Sequence, residues 1–237
     1  MPASRPFVSV NMAMTADGKI ATANRVLSSF SSPRDHEHLL ELRARVDAVM
    51  AGARTVDLNP VNLGPGAARF RRRRLSNGLA EYNLRIIVSG SGSIRPDARI
   101  FTERFSPIIV LTTERISTTR LRRLREIADE VKISGRTEVD FPACLRWLHT
   151  RWGIQRLLCE GGGELNAALF RAHLVDELNL TLCPKIFGGR RAPTLADGAP
   201  TGLAEAVGLR LESMKPCGDE LFLVYRRAAP RPSARGV

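Results

Sequence analysis

The chain has 237 residues, with 36 Lys and Arg against 24 Asp and Glu, and therefore a net charge of +12 at neutral pH. At 43% hydrophobic residues, a chain of this length can bury its own core, and the composition excludes a mainly disordered protein. No apolar run reaches the roughly 18 residues that a membrane span needs. The first residues lack a secretory signal pattern, because Asp17 and Lys19 interrupt the apolar stretch.

The four cysteines, at positions 144, 159, 183 and 217, are far apart and form no CxxC pair. This spacing disfavours a zinc knuckle or a redox dithiol and is typical of a protein in the reducing cytoplasm. The four histidines form no HExxH motif. We therefore expect a cytoplasmic protein without a metal site or a membrane partner.

The positive charge is concentrated in two segments. Arg69 and residues 71–74 supply five charges, and the four arginines after residue 225 supply four more, so that only +3 remains elsewhere. Two interpretations stay open: a solvated loop with a frayed terminus, or a surface that attracts nucleic acid or a phosphorylated small molecule. Because only 5% of residues are aromatic, base-stacking surfaces have little material, and we do not expect a nucleic-acid partner.

Apolar runs rich in β-branched residues alternate with helical patterns, which is typical of an α/β sheet. A strand is predicted over 7–12, followed by a helix that Ser32 caps and Pro33 begins, and then by a strand over 47–51. The helix is expected to present Leu39, Leu40, Leu42 and Val46 on one side. Residues 57–83 are rich in Gly, Pro, Asn and Arg without a clear period, and they are predicted to form a long loop.

The rest of the chain continues this alternation. The predicted strands cover 85–89, 107–112, 131–134, 155–159 and 178–183, and the predicted helices cover 117–127, 141–152 and 163–172. Leu203–Met214 and Glu220–Arg226 have no helix between them and are predicted to be paired strands. We therefore predict one α/β domain over residues 1–227, with a mixed, mostly parallel sheet between two helical layers, and a flexible basic tail over 228–237.

The strongest local feature is the segment Cys159–Asn166, in which a buried strand runs into three glycines and then into a helix. Glycines let the backbone approach a ligand, and free N–H groups at a helix N-terminus attract phosphate. The segment suits the diphosphate of a dinucleotide, but it is neither a GxGxxG fingerprint nor a P-loop, and a purely structural turn remains the alternative. Glu160 either accepts a hydrogen bond from a substrate or caps the turn.

Further candidate residues follow the first two strands. The segment Met14–Ala21 contains Asp17 and, one residue beyond a glycine, Lys19, although its composition also suits an ordinary turn. Arg43 is either a bidentate phosphate clamp or a solvated helix residue. Thr55 either donates to a ligand or caps a turn.

Four segments together resemble the reductases of riboflavin biosynthesis. They are TADGKIAT (15–22), LRARVDAVMAGARTV (42–56), EGGGELN (160–166) and LVDELNLTLCPKIFGGRRAPT (174–194). The resemblance covers nearly the whole chain, from about Arg5 to about Arg227. It includes the reductase domain of the bacterial bifunctional deaminase/reductase and, more similar still, the stand-alone archaeal-type 2,5-diamino-6-ribosylamino-pyrimidinone 5′-phosphate reductases.

The resemblance implies a dihydrofolate-reductase-like fold, a homodimer and NADPH as cofactor. It implies hydride transfer to C1′ of a ring-opened sugar imine, which converts the ribosyl group of a pyrimidine 5′-phosphate to a ribityl chain. It gives Lys19 and Glu160 the tasks of positioning the ribose and aiding proton delivery. For substrate binding it implies Lys19, Arg43, Leu63, Arg69 and Glu160. For cofactor binding it implies Ala13, Thr55, Asn59, Ser89, Ser91, Gly161, Gly162, Gly163, Glu164 and Leu165, with the helix continuing to Ala168.

The chain departs from the family pattern between residues 57 and 66. The family has Asp-Asp-Pro-x-Leu here, whereas this chain reads Asp57-Leu-Asn59-Pro60-Val-Asn-Leu63, so that Asn59 stands where an acidic cofactor contact is expected. Gly66 replaces the basic residue expected after the leucine. Arg69 or one of the arginines after it is the candidate that replaces this residue as the partner of the substrate phosphate.

The zinc deaminase signature HxE…PCxxC does not occur in this sequence, so we expect the reductase chemistry alone and a substrate that still carries both amino groups. Two alternatives stay open. One is a related NADPH reductase that acts on another pyrimidine or a pterin. The other is a non-catalytic protein that binds nucleotides or nucleic acid.

Overall fold

The computed structural model describes residues 4–25, 30–199 and 202–228. Within them, the strands are β1 (Phe7–Thr15), β2 (Ala48–Gly52), β3 (Leu84–Val88), β4 (Ile108–Thr112), β5 (Glu130–Ile133), β6 (Arg156–Cys159), β7 (Glu177–Cys183), β8 (Leu209–Cys217) and β9 (Glu220–Arg227). The helices are α1 (Pro33–Arg43), α2 (Ala53–Leu58), α3 (Ala68–Ser76), α4 (Arg99–Thr102), α5 (Thr118–Ile127), α6 (Phe141–Trp152) and α7 (Gly163–Arg171). Residues Leu203–Glu205 form a short 3-10 turn.

All these strands belong to one sheet, in the order β5-β4-β3-β2-β6-β1-β7-β9-β8. The seven strands from β5 to β7 in this order are parallel to their neighbours. β9 runs antiparallel to β7, and β8 runs antiparallel to β9. The predicted mixed, mostly parallel sheet with an antiparallel C-terminal strand pair is therefore confirmed.

Helices cover both faces of the sheet, as the near-continuous apolar strands require. On one face, α6 and α7 bury Leu145, Leu148, Leu165 and Leu169 against the sheet. On the other face, α4 and α5 contribute Ile100, Phe101 and Leu124 to a second apolar cluster. The result is the predicted three-layer arrangement.

Two predicted helix starts are confirmed in detail. The Ser32 hydroxyl accepts a hydrogen bond from the Asp35 N–H, and Pro33 occupies the first helical position of α1. The Ser117 hydroxyl caps α5 in the same way, by accepting from the Arg120 N–H. These caps were predictable because each depends on residues only three positions apart.

The predicted long loop over 57–83 is wrong, because it contains α3 and the end of α2. α3 buries only Phe70 and Arg74, so its sequence lacks the repeating apolar positions that indicate a helix. The predicted strand over 203–214 begins only at Leu209, since the residues before it form the 3-10 turn and irregular backbone.

Two other predicted boundaries also differ. β1 continues to Thr15, and its residues Ala13 and Met14 pair with β7. Neither residue is a strong strand former, so the sequence did not indicate this extension. α1 ends at Arg43, so Val46 lies beyond the helix.

The chain ends are described only in part. Of the predicted tail over 228–237, Ala228 donates its N–H to the Gly208 carbonyl, and residues 229–237 lie outside the described residues. Residues 1–3 of the predicted domain also lie outside them. Among the helices that the structure describes, none is long and apolar enough to cross a membrane.

Candidate active site

Several of the predicted ligand-binding residues follow the carboxyl ends of the parallel strands, which meet at one edge of the sheet. Lys19 follows β1, Thr55 lies in α2 directly after β2, and Ser89 follows β3. The glycine bend, Gly161–Gly163, follows β6, which lies between β1 and β2 near the middle of the sheet. This edge, with the glycine bend at its centre, is the candidate active site.

Two glycines of the bend are packed tightly against the protein itself. Gly161 adopts φ +77 and accepts a hydrogen bond from the Gly52 N–H at 2.7 Å, and a Cβ at this position would clash with the Met12 side chain. A Cβ on Gly163 would come within 2.5 Å of the Thr194 carbonyl oxygen. The Gly161–Gly162 peptide bond is cis. The close packing against Met12 and Thr194 supports a structural role for Gly161 and Gly163.

Gly162 differs from its neighbours because the space that a side chain would occupy there is nearly free of protein atoms. The only atom within 4 Å of a Cβ built there is the Thr55 Oγ1, at 3.6 Å, among the residues that the structure describes. Gly162 is also the N-cap of α7, and it has no side chain that could accept from the first N–H groups of that helix. An open backbone and an uncapped helix N-terminus together fit the diphosphate of a dinucleotide.

Glu160 and Arg43, both predicted to face the substrate, bind each other. Arg43 donates from Nε to Glu160 Oε1 at 2.6 Å and from Nη2 to Oε2 at 2.7 Å. The side chains are only 8% and 11% exposed. The third guanidinium nitrogen, Nη1, donates to the Gly64 carbonyl at 2.6 Å. The two residues thus act as one unit that also fixes the segment before α3.

Asp17 holds the turn after β1. Its carboxylate accepts from the Thr15 hydroxyl at 2.5 Å and from the N–H groups of Phe187 and Gly188 at 3.2 and 2.7 Å. The hydrogen bond from Thr15, together with those from the two amides, lowers the pKa of Asp17. Lys19 is anchored through its backbone, which pairs with Thr15, and within the described part of the chain its ammonium group has no ion-pair partner.

Cys159 precedes Glu160 but is not available as a nucleophile. Its side chain is fully buried, and burial raises the pKa of the thiol to about 12. The thiol donates to the Asn166 Oδ1 at 3.6 Å. Thiolate chemistry is therefore not a property of this site.

The segment that departs from the family pattern is fixed by buried contacts. The Leu63 side chain is 1% exposed and belongs to an apolar cluster, and its carbonyl accepts from the Asn83 Nδ2 at 2.8 Å. The Asn59 Nδ2 donates to the Thr55 carbonyl at 2.7 Å, at the end of α2. The structure thus places Asn59 next to Thr55 and buries Leu63 beneath the surface.

Most of the arginine run is neutralised locally. Ion pairs join Arg69 to Glu37 at 2.8 Å, Arg71 to Glu81 at 3.0 Å and Arg73 to Glu41 at 3.5 Å. Arg74 is 1% exposed and donates to the carbonyls of Arg43, Val46 and Ala80. Only Arg72 has no such partner among the described residues. This pairing weakens the interpretation of the run as a surface for a polyanion.

The remaining predicted cofactor residues lie along the same edge. The Ser89 hydroxyl donates to the Ser93 carbonyl at 3.4 Å, and the Ser91 carbonyl accepts from Arg120 at 3.3 Å. Ala13 lies in β1, half-buried, in register with Thr181 of β7. The exposed Glu164 carboxylate pairs with Arg54 at 3.3 Å. Leu165 is 7% exposed and contributes to the core.

Sequence analysis did not identify several buried polar atoms that lack a hydrogen-bond partner within the described part of the chain, among them acceptors on Asn11 and Asp35. The Oδ1 atoms of Asn11, in β1, and Asp35, in α1, have no hydrogen-bond partner among the described residues. A polar residue between the apolar Val10 and Met12 is the signal that could have indicated Asn11. Metal ligation does not explain either atom, because the described residues contain no group of three or more His, Cys, Asp or Glu that could hold an ion.

The chain is similar to known proteins over most of its length. The family model of the RibD C-terminal domain matches residues 6–223. The chain is 34% identical over 222 residues to the 2,5-diamino-6-ribosylamino-4(3H)-pyrimidinone 5′-phosphate reductase of Methanothermobacter thermautotrophicus, covering 93% of this chain and 98% of that protein. It is 34% identical over 195 residues to the protein of the same name from Archaeoglobus fulgidus, covering 82% and 87%.

Longer relatives and solved structures match as well. The riboflavin biosynthesis protein RibD of Chlamydia muridarum is 31% identical over 194 residues, which cover 81% of this chain and 50% of that protein. A pyrimidine reductase-like protein from Corynebacterium diphtheriae superposes with a TM-score of 0.79 at 20% identity, covering 94% and 92% of the two chains. The riboflavin biosynthesis reductase Rib7 of yeast gives 0.70 at 20% identity, covering 96% and 92%. These structures share the fold.

Proposed function

The chain belongs to the RibD C-terminal domain family, and we propose that it is an NADPH-dependent reductase that converts the ribosyl group of a ribosylaminopyrimidine 5′-phosphate to a ribityl group. The relatives from Methanothermobacter and Archaeoglobus, matched over most of their length, carry the name of such a reductase. Their similarity supports an oxidoreductase of this type. The alternatives, a different substrate or a non-catalytic nucleic-acid protein, are not favoured.

The observation that carries the proposal is the open backbone at Gly162, directly before the uncapped N-terminus of α7. We assign the cofactor diphosphate to the N–H groups of Gly163, Glu164 and Leu165, with the Thr55 hydroxyl beside them. Ala13, Asn59, Ser89 and Ser91 are proposed to contact the rest of the cofactor. The reduced nicotinamide supplies the hydride when it is bound.

Glu160, Arg43 and Lys19 form the proposed substrate side. Because Arg43 holds both oxygens of the Glu160 carboxylate, the carboxylate keeps a fixed orientation and has lone pairs left for the hydroxyls of the opened ribose. As C1′ gains the hydride, the imine nitrogen gains a proton. Lys19, whose ammonium group has no ion-pair partner among the described residues, is proposed to deliver that proton or to orient the water that does.

We propose the diamino pyrimidine as substrate, because the relatives with the fullest coverage are named for that compound. The substrate phosphate requires a cation at the rim of the site. Arg69 can serve only by exchanging its contact with Glu37, which is a solvent-exposed pair and therefore weak. Leu63 is proposed to shape the site from below, since its side chain is buried.

We further propose a cytoplasmic homodimer that forms along β8. This strand lies at the edge of the sheet, and its Leu209, Leu211 and Met214 are 38%, 47% and 59% exposed. An edge strand with exposed apolar side chains is a surface that a second chain can cover. Sedimentation at micromolar concentration should give twice the chain mass, and a monomer there would contradict the dimer.

The reductase proposal is tested by supplying NADPH together with either the diamino or the deaminated ribosylaminopyrimidine 5′-phosphate. We expect the absorbance of the reduced nicotinamide to fall, faster with the diamino compound, with the ribityl product appearing in equal amount. Faster turnover of the deaminated compound would overturn the substrate assignment. No oxidation with either compound would overturn the function.

A further inference from the structure

We infer that Arg120 and Arg123, both on α5, bind the phosphate on the adenosine ribose of NADPH and so make this chain select NADPH over NADH. The inference rests on the proposed function. It assigns a task to two arginines that no motif in the sequence singles out.

A groove of about 230 Å³ separates the turn after β3 from α5. The residues that line it are Gly92, Ser93, Ile94, Arg120, Arg123 and Leu124. Its floor is apolar, because Ile94 and Leu124 are 9% and 2% exposed, whereas Ser93 and the two arginines are exposed at its rim. A ribose can rest on such a floor while its phosphate meets the charged rim.

The two guanidinium groups are available to an anion. Arg120 and Arg123 are three residues apart and therefore lie on the same side of α5. The Arg120 guanidinium makes one long hydrogen bond, to the Ser91 carbonyl at 3.3 Å, and neither arginine has an ion-pair partner among the described residues. The pKa of Asp97 is lowered mainly by its hydrogen bond to Arg95 and only weakly by the charge of Arg123. Two adjacent unpaired guanidinium groups match a phosphate dianion.

The groove also lies at a suitable distance from the glycine bend. In the sheet, β3 is two strands from β6, which corresponds to about 10 Å at the usual strand spacing. Ser91, already proposed to contact the cofactor, joins the turn after β3 to Arg120. A dinucleotide with its diphosphate at Gly162 can therefore extend its adenosine across β2 and β3 to the groove.

A larger cavity nearby is a weaker candidate for this phosphate. It measures about 320 Å³ and is lined by residues 56–60 and by several residues between 95 and 102. Its charged groups already bind each other: Arg95 contacts Asp97 at 2.6 Å and donates its N–H to the Asp57 carboxylate at 2.9 Å. A phosphate there would have to displace these carboxylates, whereas the groove at α5 requires no such exchange.

The test measures the affinities of NADPH, NADH, 2′,5′-ADP and 5′-ADP in the parent and in the double variant Arg120→Gln/Arg123→Gln. We expect the parent to prefer each 2′-phosphorylated compound, and the variant to lose about 10- to 100-fold in affinity for these compounds alone, the range that charge-assisted hydrogen bonds account for. The matched control is Arg122→Gln/Arg125→Gln, which removes the same charge from exposed positions of the same helix outside the groove. The control should retain the preference of the parent.

Three outcomes would overturn the inference alone. They are a parent that does not discriminate NADPH from NADH, an equal loss of both dinucleotides in the double variant, and an equal loss in the control. In all three the reductase can remain active with either dinucleotide, which leaves the proposed function standing. A parent that binds neither dinucleotide would instead overturn the proposed function together with the inference.

Discussion

Arg43 and Glu160, which are 117 residues apart in the sequence, form a two-armed ion pair beside the glycine bend, at 2.6 and 2.7 Å. The same guanidinium group holds the Gly64 carbonyl at 2.6 Å. The carboxylate that we assign to the substrate is therefore oriented before any ligand arrives. The ion pair therefore determines the geometry of the candidate site and also contributes to the stability of the fold.

Replacing Arg43 with methionine should destabilise the protein by about 3–5 kcal/mol, because the Glu160 carboxylate would remain buried without its partner. The double variant Arg43→Met/Glu160→Gln should lose less than Arg43→Met alone, since it removes the unpaired charge. Urea unfolding of the parent, both single variants and the double variant measures this coupling. Losses that simply add would contradict the paired arrangement.

Glu160→Gln should lower kcat by about 100-fold or more while the affinity for NADPH stays nearly unchanged, because the carboxylate is assigned to the substrate and not to the cofactor. Steady-state kinetics and fluorescence titration with NADPH measure the two quantities separately. Glu41→Gln, at an exposed ion pair on α1, is the matched control and should behave as the parent. An equal loss of turnover and NADPH affinity would show that Glu160 is misassigned.

Gly162→Asp should abolish NADPH binding without unfolding the protein. A Cβ at this position meets only the Thr55 Oγ1, at 3.6 Å, and an aspartate at the N-cap accepts from the first N–H groups of α7, so the helix gains a cap. The same carboxylate then occupies and repels the proposed diphosphate position. Titration and thermal unfolding should be compared with Ala172→Asp, which adds the same charge at the other end of α7. Retained NADPH binding in Gly162→Asp would place the cofactor elsewhere.

Arg74→Ala should cost about 3 kcal/mol or more of folding stability, because it leaves three carbonyls without a donor and empties a buried volume. Arg72→Ala removes the same residue type from an exposed position two residues earlier and should change stability by about 0.5 kcal/mol or less. Chemical unfolding of the two variants provides the comparison. Equal effects would contradict the buried position of Arg74.

Local signals in the sequence predicted much of the fold, including the bend at the centre of the candidate site. The caps at Ser32 and Ser117 and the glycine bend depend on residues within a few positions of each other, and for this reason they were predictable. The open backbone at Gly162 did not follow from the sequence, because three identical glycines give no indication of which one packs against the protein.

Contacts between segments that are distant in the chain could not be predicted from the sequence. The pairing of Arg43 with Glu160 depends on how α1 and β6 meet in three dimensions, and no sequence spacing encodes it. The same applies to the arginine run, where one of five identical side chains is buried and three pair with acidic residues. α3 escaped prediction because its buried side includes an arginine.

The central claim, that the backbone at the glycine bend binds the cofactor diphosphate, is tested most directly by a crystal structure of the protein with NADPH. We predict diphosphate oxygens within hydrogen-bonding distance of the N–H groups of Gly163, Glu164 and Leu165, with the Thr55 hydroxyl alongside. The account would be contradicted if an active enzyme bound the dinucleotide at another place on the sheet edge and made no contact with it at the glycine bend.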